Sequence, residues 1–177
     1  MNKKTLNNEL ERLTVEEFKA EKKTPLIVIL DNIRSLANIG SVFRTGDAFR
    51  VEKVYLCGYT AQPPHREIQK TALGASKSVA WEHREDIFGL MDELLNERVE
   101  IYSIEQTSDA IMLNDFEPKK GTRTAVIFGN EVQGVQQEVI DKSTGVIEIP
   151  QIGTKHSLNI SVSNGVVLWD LYAKLIK

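Results

Sequence analysis

The run Leu26-Ile27-Val28-Ile29-Leu30 constrains this chain more than any other segment, because it is apolar throughout with a β-branched residue at each of its three central positions. A strand with one face in water alternates apolar and polar residues. An unbroken run needs cover on both faces, which is the pattern of an inner strand in a parallel sheet. Asp31-Asn32 end the run in a polar loop. A helical stretch from about Ile39 to Phe49 follows, and Val54-Tyr55-Leu56-Cys57 reads as a second strand, completing a βαβ unit. Further strands are expected at Ser78–Trp81, Val99–Ile104, Ala125–Phe128 and Val146–Ile149. Helices are expected at Asp86–Asn96, Gln136–Asp141 and Val162–Leu175. Alternation of this kind defines an α/β fold with a mainly parallel sheet flanked by helices. Ahead of it, Leu6, Leu10, Leu13 and Phe18 among charged residues predict an amphipathic helix within residues 1–23, stopped by Thr24-Pro25. Residues 24–177 read as one domain, without internal repeat or Gly/Ser/Pro linker.

A chain of 177 residues buries roughly 70% of the surface it exposes when unfolded, so its core needs no disulfide or structural metal. The single cysteine, Cys57, ends an apolar strand and reads as core. There is no apolar run near 18 residues, and the polar N-terminus lacks a signal peptide's apolar stretch, so a soluble, cytoplasmic protein with no membrane partner is expected. A net charge of −3 excludes a wholesale nucleic-acid coat. The distribution of charge says more. From Arg34 to Lys77 there are seven basic and three acidic residues, and from Ser78 to Arg123 five basic and eleven acidic. Such polarity can offer phosphates a basic face and keep an acidic one in solvent.

In an open parallel sheet, ligands bind beyond the carboxyl ends of strands. Three loops there are unusual. The first runs from Asn32 to Arg44, with Asn38 near a helix start, Gly40 allowing a close approach by backbone or phosphate, and Arg44 two turns on. By itself its spacing favours an N-cap asparagine and a solvated arginine. The second, Gly129-Asn130-Glu131-Val132-Gln133-Gly134, brackets a carboxylate with glycines just past a strand. Its spacing suggests a phosphate loop, but Val135-Gln136 stand where Lys-Ser/Thr is required, which excludes a P-loop. The third runs from Ile149-Pro150 to Ser157-Leu158-Asn159-Ile160-Ser161. Ser157 would serve as N-cap, and Asn159, Ser161, Ser163 and Asn164 exceed what capping needs.

Together, N-x-G-x3-R at Asn38–Arg44, F-G-N-E-x2-G at Phe128–Gly134, and I-P followed by S-L-N-x-S at Ile149–Ser161 resemble the three signature motifs of the SpoU (TrmH-like) RNA 2′-O-ribose methyltransferases of the SPOUT superfamily. Lys70-Thr71-Ala72-Leu73-Gly74-Ala75 is similar to a segment of the TrmH subgroup. The resemblance spans residues 24 to 175. Asn130, Thr154-Lys155-His156 and Ser163-Asn164-Gly165 depart from the common pattern.

The resemblance implies an S-adenosylmethionine-dependent enzyme with a C-terminal deep trefoil knot, working as a homodimer whose interface helps form the site. By match, the cofactor would lie against Phe128, Gly129, Asn130, Glu131, Gly134, Ile149, Pro150, Ser157, Leu158 and Asn159. Asn38, Arg44, Glu131, Ser157 and Asn159 would form the catalytic neighbourhood. Methyl transfer to a ribose hydroxyl needs positioning and removal of a proton, and no metal. His65, His83 and His156 show no metal-ligand spacing and read as surface or packing residues. Because guanidinium gives up its proton only with great difficulty, Arg44 is better suited to holding a phosphate and stabilising alkoxide charge than to acting as a base. RNA would be read through phosphates and shape by Arg34, Arg44, Arg66, Lys70, Lys77 and Lys155, with tRNA favoured over rRNA. Trp81 and Trp169 lie in apolar stretches and read as packing residues. A small-molecule enzyme leaves Asn38, Arg44, Ser157 and Asn159 without a purpose. A non-catalytic RNA-binding protein would be expected to lose Arg44 or the second motif.

Overall fold

The computed structural model describes residues 2–6 and 9–176. Seven strands occur in chain order: β1 (Thr24–Asp31), β2 (Val51–Cys57), β3 (Trp81–Arg84), β4 (Glu100–Ile104), β5 (Ile111–Met112), β6 (Thr124–Phe128) and β7 (Gly145–Glu148). They form one sheet in the order β3-β2-β1-β6-β4-β7-β5. Every ladder is parallel. The helices are α1 (Val15–Ala20), α2 (Leu36–Ala48), α3 (Arg66–Ala72), α4 (Ala75–Ser78), α5 (Ile87–Asn96), α6 (Gln137–Lys142) and α7 (Ile160–Leu175).

β1 lies between β2 and β6, with Val28 in register with Val54 on one side and Val126 on the other. Alternate residues point to opposite faces. Leu26, Val28 and Leu30 therefore join Ile39 and Phe43 of α2 and Leu168 of α7 in one core, whereas Ile27 and Ile29 join Leu90 and Met91 of α5 and Val139 of α6 in the other. Each such fully buried side chain contributes about 1.5–3 kcal/mol. Gly40 serves a backbone rather than a phosphate: a β-carbon there would meet the Ile68 carbonyl oxygen at 2.2 Å, so its absence lets α3 pack on α2.

The expected elements need three corrections. The N-terminal helix is confined to Val15–Ala20, because Thr14 and Glu17 form a capping box that starts it there. Residues 11–14 are irregular, Leu6, Leu10 and Leu13 are exposed, and residues 7 and 8 of the expected helix lie outside the described residues. The strand expected at Ser78–Trp81 begins at Trp81, because Ser78 closes α4, its hydroxyl donating to the Asp47 carboxylate with the Ala75 carbonyl as the alternative acceptor. Trp169 is not a packing residue in full. It touches Phe49 and Tyr172 with ring centroids 5.9 and 6.4 Å away, yet 59% of it is exposed.

Candidate functional site

Beyond the carboxyl ends of β4, β6 and β7 lies a cavity of about 560 Å³. Its volume falls in the range of small-molecule sites. Ile104, Phe128, Ile149, Leu158 and Ile160 supply apolar wall, and the only formal charges on its lining are the carboxylates of Glu105 and Glu131. No lysine or arginine lines it among the described residues.

Glu131 joins the first and second loops. Its carboxylate accepts the Arg34 and Ser35 amides, each at 2.9 Å, and the Asn38 side-chain amide at 3.3 Å. Burial pushes its pKa up, but hydrogen bonds from the Arg34 and Ser35 amides, its own amide and Asn38 outweigh that, and the carboxyl is held below its ordinary 4.5. The negative charge lies at the start of α2, where a helix N-terminus favours it. Asn38 is buried in the first turn of α2.

The second loop is a tight reversal that needs glycine at its base. A β-carbon on Gly129 would come within 2.3 Å of the Gly134 carbonyl, so no other residue fits. Asn130 closes the reversal: its side-chain oxygen accepts the Val132 and Gln133 amides at 2.9 and 3.0 Å, and its carbonyl accepts the Gly134 amide at 2.8 Å. Beneath these loops Asp31 is buried with Gln136 and Asn32 donating to it; burial raises its pKa despite them.

Phe128, Gly129, Asn130, Glu131, Gly134, Ile149, Ser157 and Leu158 therefore share one cavity, whereas Pro150 and Asn159 do not line it. Asn159, not Ser157, caps α7, accepting from the Ser161 amide at 2.9 Å and the Ser161 hydroxyl at 2.6 Å. Ser163 back-bonds to the Asn159 and Ile160 carbonyls. Asn164 is fully buried, and neither of its amide atoms has a partner among the described residues.

Arg44 stands apart. It is exposed and lines a second cavity, also of about 560 Å³, with Arg12, Arg50, Lys77, Asp47 and the N-terminal segment around Leu13. Arg50 is paired with Glu21 at 3.0 Å and Lys70 with Glu67 at 2.7 Å. Arg34, Arg66 and Lys155 are exposed. The histidines have local tasks: His65 caps α3, the His83 ring contacts the Gly58 carbonyl at 2.9 Å, and His156 lines the first cavity. Among the described residues no group of three or more His, Cys, Asp or Glu is arranged to hold a metal.

Sequence reasoning missed Glu105 and Gln106. Glu105 accepts the Val135 amide at 3.0 Å, and Gln106 donates to the His156 carbonyl at 2.7 Å, tying the second and third loops to the end of β4. The signal was available, since both residues directly follow an apolar strand.

The parallel α/β sheet thus carries two cavities, one at the carboxyl ends of its strands with carboxylates on its lining and one beside α2 that holds Arg12, Arg44 and Lys77. The chain belongs to the SpoU rRNA Methylase family, whose sequence model matches residues 25–169. It is similar to an uncharacterized tRNA/rRNA methyltransferase of Borreliella burgdorferi, 30% identical over 177 residues that cover 98% of this chain and 74% of the relative. It is also similar to the tRNA (guanosine(18)-2'-O)-methyltransferase of Thermus thermophilus, 29% identical over 170 residues, 96% of this chain and 85% of that one. The crystal structure of the A. aeolicus TrmH/SpoU tRNA modifying enzyme superposes with a TM-score of 0.79 at 25% identity, covering 90% of this chain and 81% of that chain.

Proposed function

We propose that the chain is an S-adenosylmethionine-dependent RNA methyltransferase acting on a ribose 2′-hydroxyl, with tRNA as its substrate in preference to rRNA. Family membership supports the reaction, and the tRNA enzymes among its relatives support the substrate. The carrying observation is the separation of charge between the two cavities. One has carboxylates and no basic side chain, which suits a sulfonium and an ammonium; the other sets Arg12, Arg44, Arg50 and Lys77 against Glu11 and Asp47, a net positive lining that suits phosphates. The donor set fits the cofactor, with apolar wall for an adenosine and free volume in the range such ligands need. When bound, that cofactor supplies a methyl group already activated on sulfur.

This chain's residues do the rest. Glu131 and Asn38 fix the start of α2, and Arg44 lies six residues further along that helix, roughly 9 Å at 1.5 Å per residue. Arg44 holds the neighbouring phosphate and stabilises the developing alkoxide while keeping its own proton, and the proton of the 2′-hydroxyl leaves to solvent water as the methyl group passes from sulfur to oxygen. Ser157 and Leu158 face the cofactor, and Asn159 positions the helix behind them. Arg34, Arg66, Lys70, Lys77 and Lys155 contact RNA phosphates.

Arg44 and the cofactor cavity are separate in one chain, which supports a homodimer whose interface completes the site. Val162, Val166 and Trp169 recur along one side of α7, all exposed, and a second copy of this chain is their fitting partner. Family membership supports the trefoil knot, within a sheet where β6 enters between β1 and β4, and β7 between β4 and β5. Residues 24–177 act as one domain, and the enzyme works in the cytoplasm.

The test is transfer of radiolabelled methyl to unmodified bulk tRNA and rRNA, followed by nuclease digestion to locate 2′-O-methylnucleosides. Label in tRNA is expected. Arg44→Ala should lower turnover on the order of a hundredfold with unchanged cofactor affinity; near-normal turnover would remove Arg44 from the site.

A further inference from the structure

Tyr59 is an exposed aromatic anchored by hydrogen bonds at both its phenol and its backbone amide. It follows β2 by two residues, and 63% of it is open to solvent. Its phenol oxygen accepts from the Asn130 side-chain amide at 2.7 Å, and its backbone amide donates to the Asn32 side-chain oxygen at 3.2 Å. The same Asn130 nitrogen donates its other proton to the Asn32 carbonyl at 2.9 Å. One clasp thus binds the loops after β1, β2 and β6 and holds the Tyr59 ring across their tops. Asn130 lines the first cavity, so the Tyr59 phenol is hydrogen-bonded to a residue of that cavity's wall. Among the described residues no aromatic ring pairs with Tyr59 and no cation lies over it.

A buried tyrosine usually finds a hydrogen-bond partner for its hydroxyl. Here the polar end is secured and the ring is left bare, which is the arrangement that offers a flat face to another flat group. Single-stranded RNA presents unstacked bases, and proteins take them on aromatic side chains. Arg34, in the loop after β1, and Arg66, which opens α3 after the Tyr59 loop, are exposed basic residues on the two flanking segments.

We propose that Tyr59 is a stacking platform for an unpaired base of the RNA substrate, positioned by Asn130. The inference rests on the RNA-methyltransferase reading above and names a binding residue for it. Tyr59 contacts the base, and Asn130 acts through Tyr59.

The test measures affinity for unmodified tRNA by filter binding, and for S-adenosylmethionine by calorimetry, in wild type, Tyr59→Ala and Tyr59→Phe, the last of which removes the hydrogen bond to Asn130 and keeps the ring. Tyr59→Ala should weaken RNA binding on the order of tenfold, the usual loss for one stacked base, with cofactor affinity and Tm unchanged. Tyr59→Phe keeps the ring and should lie between wild type and Tyr59→Ala. Unchanged RNA affinity in Tyr59→Ala, absence of RNA binding by the wild type, or an equal loss of cofactor affinity would each overturn the proposal. Weakened RNA binding in Tyr59→Ala, in a wild type that transfers no methyl group, would overturn the catalytic reading and sustain the platform.

Discussion

Glu131 shows how one carboxylate can join two motifs that are about ninety residues apart in the sequence. Its charge is stabilised by donors that the folded chain alone brings together, so its pKa lies below 4.5 and its contribution to stability is complete above that value. That contribution is lost as the pH falls through the folded-state pKa. Glu131→Gln should therefore lower Tm at pH 7 by an amount that shrinks toward zero as the pH is brought below 4.5. Thermal unfolding of both proteins at pH 7 and at several acidic values checks it; a pH-independent difference would mean that packing, not charge, is what the substitution removes. The sequence made Glu131 conspicuous, as a carboxylate between glycines after a strand. It could not show that Asn38 is its partner, since that contact depends on β1 and β6 being neighbours. Nor could it show that Arg44 would open into a different cavity.

Elements were legible where burial wrote a continuous pattern. β1, β6 and α5 lie where the apolar runs lie, because inner strands and an amphipathic helix leave a periodic trace. β5 is two exposed residues and leaves none. α3 and α4 are short, and the helical turn of α4 ends at Ser78 through contacts with Ala75 and Asp47 that only packing supplies. In α7 the surplus of polar residues has a mixed account. Asn159 caps, Ser161 and Ser163 bond locally, and Asn164 is buried with its amide unpartnered. Removing a buried amide that lacks partners relieves its desolvation cost, about 1–3 kcal/mol. Asn164→Ala also leaves a small void, so a net gain of about 1 kcal/mol and a rise in Tm of about 3 °C are expected. Calorimetry checks it, and a lower Tm would show that Asn164 has a partner it needs.

At the scale of the whole molecule, the exposed stripe of Val162, Val166 and Trp169 should set the oligomeric state. In a two-fold interface each substitution acts twice. Trp169→Glu should weaken dimerisation by at least thirtyfold, as loss of a central tryptophan typically does (about 2 kcal/mol or more), and methyl transfer should fall with it while cofactor binding persists. Light scattering over a concentration series reads the first effect. A wild type that is monomeric throughout would leave that apolar stripe without its partner. The strand order has a consequence for biosynthesis. β6 fills the space between β1 and β4, and β7 the space between β4 and β5, so chain emerging from the ribosome up to residue 123 has strands whose eventual neighbours do not yet exist. Bare strand edges attract other strands. The vulnerable interval closes only when the last third of the polypeptide has paired with the rest, so a premature stop codon anywhere before it should yield a sticky fragment and not a weaker enzyme.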